Sequence, residues 1–405
     1  MSRRQVAGRL SGFTISVIIV TLVGIVSMPV LIDALGKATW GNLFVIQSVA
    51  QFGGIVVSFG WGATGAASVA SMTADERTGF YRSSLRIRAV LYVMTFPVVL
   101  IILLALLGGG MWLESVLGAV VYLLPSVGAA WYFIGTGSAS RLIRFDTLPI
   151  VGGAVLGIIG AVVTGELWVY LVGQGLGYLV GVSSSALVIL RGAPAGPAPV
   201  PWRDALMAQR HAVLATLTSS LYVTLPIVAV QIFLPVATPV YGLAQQLFRY
   251  ASVAFQPVQQ FFQSWVPERG ADIAARCRSA TWAAAGIATL GGIAIAVLSP
   301  FVSLLLSSFQ IQVPFSLSIP LGVAFIGIGT AAVVGYACLV VLGRVSALAV
   351  STLVGALVGA PLILLFAALG SLPMVAWSVA VSELCVAGYQ LLVLRRALAE
   401  RRMPA

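Results

Sequence analysis

The chain has 405 residues, of which 60% are hydrophobic and only 8% charged, and its mean hydropathy is +1.06. A soluble domain carries about 25% charged residues, so this composition excludes a soluble globular protein and predicts an all-α integral membrane protein. The net charge of +11 does not indicate a nucleic-acid partner, because the basic residues lie between apolar segments, where they act as an orientation signal.

Twelve apolar segments are long enough to cross a bilayer as helices. They cover residues 11–35, 40–69, 89–107, 115–134, 148–163, 168–190, 212–234, 240–266, 280–298, 316–342, 345–369 and 374–394. Twenty of the 22 basic residues lie in connections on one side of this arrangement, and only Lys37 and Arg249 do not. Because basic connections stay in the cytoplasm, the sequence predicts twelve transmembrane helices with both termini cytoplasmic.

A proline-rich connection separates two halves of nearly equal length. Four prolines between positions 194 and 201 predict an extended cytoplasmic linker at 191–210, between six-helix lobes at 1–190 and 211–405. The spacing from Arg9 to Trp40 is repeated from Arg210 to Tyr241. Parallel repeats of this kind, related by an axis along the membrane normal, are a known plan of transporters.

The segment 240–266 carries a row of polar residues that a helix places within about a third of its circumference. The row consists of Gln245, Arg249, Ser252, Gln256, Gln259, Gln260 and Gln263. Polar side chains are costly in hydrocarbon, so the row should face protein or a water-filled cavity. It predicts a pathway for polar cargo, and hydrogen bonding between helices is the alternative.

Two acids lie within or beside the apolar segments. Glu383 lies near the middle of the last segment and Asp33 at the outer end of the first. A buried carboxylate there suits H⁺ or Na⁺ coupling, and a neutral packing acid is the alternative for Glu383. Either acid is also a candidate ion-pair partner for Arg249. The single histidine and the scattered cysteines and acids predict no transition-metal site, and no cofactor is expected beyond a coupling ion.

Rows of glycine predict where helices approach each other closely. Gly173, Gly177 and Gly181 recur every fourth residue in one segment, as do Gly355 and Gly359 in another. Small residues at this spacing permit backbone contact between membrane helices. We expect these rows to have a structural role.

The N-terminal region carries the pattern Leu31, Leu35-Gly36 and Trp40-Gly41, followed by Phe59-Gly60-Trp61-Gly62. This pattern resembles that of Wzx-type oligosaccharide flippases, which belong to the multidrug/oligosaccharidyl-lipid/polysaccharide (MOP) exporter superfamily. It implies a MOP/MATE-like fold of two six-helix lobes, with a cavity lined by segments 1, 2, 7 and 8. It also implies alternating access that flips a polyprenyl-(pyro)phosphate-linked oligosaccharide across the bacterial cytoplasmic membrane for cell-surface polysaccharide synthesis.

The leading hypothesis is therefore a lipid-linked oligosaccharide flippase surrounded by membrane lipids, with unidentified polysaccharide assembly partners. The amides of the 240–266 row and of Gln47 and Gln51 suit hydroxyl-rich sugar, Trp40 and Tyr241 suit stacking on it, and Arg249 suits phosphate. The alternative is an exporter of drugs or small metabolites from the same superfamily, driven by Na⁺ or H⁺. An enzyme is not expected, because the connections are too short to hold a catalytic domain.

Overall fold

The computed structural model describes residues 3–191, 207, 220, 223–268 and 272–400. All regular elements in this part of the chain are helical. Contacts divide the chain into two compact units, Met1–Leu217 with Leu306–Ser308 and Thr218–Leu305 with Phe309–Ala405. We call them the first and second lobes. The linker predicted at 191–210 lies almost wholly outside the described residues.

In the first lobe, a series of α-helices is interrupted by short 3₁₀ and π segments. The α-helices are α1 (Arg3–Leu35), α2 (Lys37–Ser58), α3 (Trp61–Ser71), α4 (Ala74–Leu107), α5 (Trp112–Leu123), α6 (Ala130–Gly135), α7 (Ala139–Leu142), α8 (Leu148–Thr164) and α9 (Leu167–Leu190). A 3₁₀ turn at Leu124–Val127 follows α5, and a π-helix at Ile143–Thr147 joins α7 to α8.

The second lobe contains longer, less interrupted helices. These are α10 (Val223–Phe233), α11 (Thr238–Trp265), α12 (Ile273–Leu306), α13 (Phe315–Val333), α14 (Ser346–Ala368) and α15 (Leu372–Glu400). A π-helix at Val334–Leu339 extends α13. π-Helices are rare and often lie near functional sites.

Ten helical segments of the described chain are long and apolar enough to cross a membrane. Two of the twelve predicted segments are not among them. Only Val223–Phe233 of the segment 212–234 forms a described helix, and it is short. The segment 240–266 forms α11, whose 28 residues are enough to cross a bilayer. Its many polar side chains make it less apolar than the ten candidate spans. The all-helical membrane fold is confirmed, while the number twelve and the cytoplasmic termini stay predictions.

The single helix expected over 40–69 is wrong, because the chain breaks at Phe59 and Gly60. Both residues have positive φ, 39° and 83°, a region that glycine adopts without steric cost. The break ends α2 at Ser58, and α3 begins at Trp61, which is buried with Tyr81 and other aromatic residues. The Gly-rich motif quoted above therefore marks a break between helices.

The segment 115–134 is also broken, and Arg88 fills the break. Pro125 cannot donate a backbone hydrogen bond, and the helix resumes only at Ala130 after Gly128. Arg88 on α4 donates from Nη1 to the carbonyl oxygens of Gly128 at 2.7 Å and Ser126 at 3.2 Å. The sequence placed Arg88 in a polar connection. That placement is wrong, because Arg88 lies inside α4 and only 1% of it is exposed.

Close approach at the predicted glycine rows is confirmed for α8 and α9. A Cβ atom on Gly173 would lie 2.4 Å from the amide nitrogen of Gly157, and one on Gly177 would lie 2.6 Å from the carbonyl oxygen of Pro149. In the second lobe, a Cβ on Gly355 would lie 2.5 Å from Val386 on α15. Backbone packing of this kind is common between membrane helices.

Candidate functional site

The polar row of the segment 240–266 forms one face of α11, directed away from the packing of the second lobe. Gln256 and Gln260 are exposed, and Gln259 and Gln263 are half-buried. Beside this row on the helix, Phe248 and Phe255 pack edge-to-face on Phe325 of α13, with ring centroids 6.1 and 5.7 Å apart. The aromatic contacts fix the rotation of α11 and leave its polar face open. We call this row of seven residues the α11 polar face.

Four members of the α11 polar face have unused hydrogen-bonding groups. No side-chain hydrogen bond joins Gln256, Gln259, Gln260 or Gln263 to any described residue, although each amide has two donor hydrogens and an acceptor oxygen. These amide donors and acceptors can therefore form hydrogen bonds with water or with another molecule beside the helix.

Closer to the start of α11, two members of the face are held by the protein. Gln245 donates from Nε2 to the carbonyl oxygen of Val223 on α10 at 3.1 Å, while its Oε1 is buried without a described partner. Ser252 donates to the carbonyl oxygen of Phe248 one turn earlier. Arg249, between them in the row, is exposed within this lobe. The α11 polar face therefore has side chains hydrogen-bonded to the protein near its N-terminal end and amides without described partners near its C-terminal end.

Two aromatic residues expected to stack on cargo lie in the cores of their lobes. Trp40 on α2 is 6% exposed and stacks on Phe44, with ring centroids 5.9 Å apart. Tyr241 on α11 is 2% exposed. These positions favour a packing role, and ligand contact by either ring stays a prediction.

Two glutamines of α2 have different surroundings in the first lobe. Gln47 donates from Nε2 to the hydroxyl of Tyr122 on α5 at 2.8 Å. Gln51, one turn later, is exposed. Gln47 therefore has an internal structural partner, and Gln51 is the one whose amide is accessible on this lobe.

A buried polar cluster around Tyr122 was not found from the sequence. The hydroxyl of Tyr122 accepts a hydrogen bond from Gln47, its ring lies 6.3 Å from that of Tyr178 on α9, and Tyr170 on the same helix is also buried. Gln174 between these tyrosines is buried, and its Nε2 has no described partner. The signal was the spacing of four residues between 170, 174 and 178, which places all three on one face of a helix.

The carboxyl group of Glu383 lies inside the second lobe. Glu383 is half-buried on α15 at the point where that helix meets Gly327 of α13. Within the described chain, this carboxyl group makes no hydrogen bond or ion pair. An ion pair between Arg249 and Glu383 is therefore absent. Asp33, the other acid considered, is exposed at the end of α1 in the first lobe.

The described residues contain no group of three or more His, Cys, Asp or Glu that could hold a metal ion. The α11 polar face itself offers amides, one hydroxyl and one guanidinium.

No family model and no curated protein matches the sequence. Solved structures do match the fold over almost its whole length. An inward-facing multidrug resistance MATE family transporter of the MOP superfamily aligns with a TM-score of 0.60 at 15% identity, covering 95% of this chain and 96% of the other. The chain has a MATE-like transporter fold.

Two further structures agree with this assignment. The MATE multidrug transporter DinF-BH aligns with a TM-score of 0.57 at 16% identity, over 97% of this chain and 95% of the other. An outward-facing MATE family transporter of the MOP superfamily aligns at 0.54 and 16% identity, over 98% and 96%. The MATE-like fold expected from the sequence is thus confirmed, and the Wzx-type likeness stays a prediction.

Proposed function

We propose that this chain is a multi-pass membrane exporter of small organic molecules, and that the α11 polar face contacts the transported molecule. The row of four amides without described partners carries this proposal. The 28 residues of α11 extend about 42 Å at 1.5 Å per residue, which is enough to cross a bilayer. Amides without partners are costly against hydrocarbon, so this face requires water or polar cargo beside it.

The likeness in fold to multidrug resistance transporters supports export of drugs or small metabolites. This is the alternative weighed from the sequence, and the comparisons favour it over the flipping of a lipid-linked oligosaccharide. The MATE-like fold also supports a location in a membrane, and we propose the bacterial cytoplasmic membrane.

The composition of α11 indicates the charge of the cargo. The helix contains Arg249 and no Asp or Glu. A cationic cargo would meet no carboxylate on this helix, whereas a neutral or anionic molecule would accept hydrogen bonds from the amides of the α11 polar face. We therefore propose neutral or anionic cargo with several oxygen acceptors.

The proposed driving force is a gradient of H⁺ or Na⁺ acting at Glu383. A carboxyl group in a membrane helix without a described partner is costly when ionised. Binding of a proton or Na⁺ removes this cost. Ion occupancy of Glu383 therefore follows the gradient and changes the conformational free energy of the second lobe.

Everted membrane vesicles test the proposal with three fluorescent cargoes that share one scaffold and differ in charge. We expect energised uptake of the neutral and anionic cargoes above that of the cationic one. Replacing Gln256 and Gln260 together by Leu should lower the rate about tenfold, since each lost hydrogen bond costs about 0.5–1.5 kcal/mol.

Gln246→Leu is the matched control, because it makes the same change on the same helix outside the α11 polar face. It should leave the rate within twofold of the unsubstituted chain. Equal losses for the control and the double variant, or a preference for the cationic cargo, would contradict the proposal.

Flipping of a lipid-linked oligosaccharide remains the second candidate, because amides beside a guanidinium also suit a sugar phosphate. Under this candidate, Arg249→Lys keeps part of the activity and Arg249→Ala loses most of it, since Lys cannot offer two parallel donors to phosphate. The measurement is the amount of lipid-linked precursor on each side of the membrane in a deletion strain carrying each variant. Full glycan display by well-expressed Arg249→Ala would exclude the phosphate contact.

A further inference from the structure

A cavity lies in the second lobe, and no residue of α11 lines it. It has a volume of about 410 Å³ and is formed by α12, α13 and α15. Its lining includes Arg278, Thr281 and Trp282 from α12, Thr330 from α13, and Leu394 and Arg395 from α15. This volume lies within the range of about 300–1,000 Å³ that is usual for ligand sites. Among the described residues that line it, none is acidic.

The two arginines lie at the same end of the cavity. Arg278 is in the second turn of α12, and Arg395 is in the second turn from the end of α15. Both side chains are exposed. Arg278 donates from Nε to the carbonyl oxygen of Ala274 at 3.3 Å, which leaves its two Nη groups for another acceptor.

Two nearby glutamates pair with other arginines, and the carboxylate of Asp272 accepts hydrogen bonds from backbone N–H groups at the start of α12. Glu400 at the end of α15 pairs with Arg344, and Glu268 pairs with Arg276. Within the described part of the chain, neither Arg278 nor Arg395 forms an ion pair. The rim of the cavity therefore carries two guanidinium groups that form no ion pair with a described carboxylate.

Beyond the arginines the lining is mostly apolar, and it continues onto the exposed surface of α12. Trp282 lies one turn beyond Arg278 and is 78% exposed, as is typical of tryptophan at the membrane interface. Leu391 and Leu394 continue the wall along α15. Further along α12, Leu290 is also exposed. A ligand here would have an anionic head near the arginines and an apolar part that reaches the bilayer.

We propose that this cavity binds an anionic phospholipid of the surrounding leaflet. Its phosphate accepts hydrogen bonds from Arg278 and Arg395, and an acyl chain lies against Trp282 and Leu394. Arginine forks match phosphate oxygens, and basic pockets between membrane helices are known to recognise anionic headgroups. This site is independent of the identity of the transported molecule, because it needs only a membrane around the second lobe.

Lipid titration of the purified full-length chain in a neutral detergent tests the proposal. Phosphatidylglycerol and phosphatidylcholine with identical acyl chains are added, and bound lipid is counted by native mass spectrometry while the midpoint of thermal unfolding is recorded. We expect tighter binding and a larger rise of the midpoint with phosphatidylglycerol. Each arginine near an anionic lipid contributes about a fivefold change in affinity, so replacing both by Gln should weaken binding about 25-fold.

Arg395→Gln and Arg396→Gln form the matched pair of variants. Both remove one charge from the same turn of α15, but only Arg395 lines the cavity. Arg395→Gln should weaken phosphatidylglycerol binding about fivefold, and Arg396→Gln should leave it unchanged. Inorganic phosphate at millimolar concentration should neither displace the lipid nor raise the midpoint.

Three results would overturn the proposal. Equal weakening by Arg396→Gln would mean that general surface charge attracts the lipid. Equal binding of phosphatidylcholine would remove the role of headgroup charge. An equal rise of the midpoint with inorganic phosphate would assign the arginines to a soluble anion. The comparison of lipids in the unsubstituted chain can overturn the proposal even where a variant is poorly produced.

Discussion

Arg88 on α4 donates a hydrogen bond of 2.7 Å to the carbonyl oxygen of Gly128, where the helix between α5 and α6 is broken. The same guanidinium lies over the ring of Trp131, 5.4 Å from its centroid. A cation is thus buried against backbone carbonyls that the break at Pro125 leaves without helical partners. Arg88 therefore connects α4, the 3₁₀ turn after α5 and α6 within the first lobe.

Replacing Arg88 by Leu should destabilise the first lobe strongly. Buried carbonyl groups left without donors cost about 1–3 kcal/mol each, and two lose their donor here. We expect a lower midpoint of thermal unfolding and a lower yield from the membrane. Arg86→Leu is the control, because Arg86 is exposed on the same helix. Similar midpoints for the two variants would show that the contacts of Arg88 do not stabilise the lobe.

Gly327→Ala should separate α13 from α15. A Cβ at this position would lie 2.8 Å from the carbonyl carbon of Glu383. Because this is a backbone atom, it cannot move aside as the end of a flexible side chain can. Overpacking of this kind costs about 1–3 kcal/mol. Gly388→Ala on α15, where no atom lies within 4 Å of the new Cβ, should leave thermal stability unchanged. Equal stability of the two variants would contradict the close contact.

The hydrogen bond between Gln47 and Tyr122 gives a prediction about the role of Gln47. If its amide serves the first lobe, Gln47→Leu and Tyr122→Phe should each lower stability, and the double variant should lose less than the sum. The coupling energy expected between membrane helices is about 0.6 kcal/mol, measured by a double-mutant cycle of reversible unfolding. Additive losses, together with a transport defect confined to Gln47→Leu, would favour ligand contact instead.

Glu383→Gln should uncouple transport from its driving gradient. The amide keeps the shape of the side chain but can neither take up a proton nor bind Na⁺ as a carboxylate does. We expect binding of cargo to persist while uptake into vesicles loses its dependence on pH and on Na⁺. Uptake by Glu383→Gln with the same dependence on both ions as the unsubstituted chain would exclude coupling at this residue.

Sequence periodicity predicted the features that depend on one helix. The α11 polar face follows from a spacing of 100° per residue, and the approach of α8 to α9 follows from the row at Gly173 and Gly177. Both depend on side chains whose neighbours along the same helix set their direction. The MATE-like fold was likewise expected from the number and length of the apolar segments together with the motif resemblance.

Features that depend on contacts between helices were not predicted. The break at Phe59-Gly60 interrupts a continuously apolar stretch, so hydropathy does not reveal it. Arg88 was placed in a connection, because only the carbonyl groups freed near Pro125 explain its burial. Trp40 is likewise buried by helices that pack around α2, and these helices are distant from it in the sequence. Such partners lie far along the chain, and periodicity carries no information about them.

The central claim is that cargo contacts the α11 polar face, and protection from alkylation tests it most directly. Single cysteines are introduced by Gln256→Cys, Gln260→Cys or Gln246→Cys after Cys277, Cys338 and Cys385 are replaced by Ser. Each variant reacts with a small maleimide in membranes, with and without saturating transported cargo. We expect cargo to slow the reaction severalfold at positions 256 and 260 and to leave the rate at position 246 unchanged. Equal rates with and without cargo at 256 and 260, or protection confined to position 246, would contradict it.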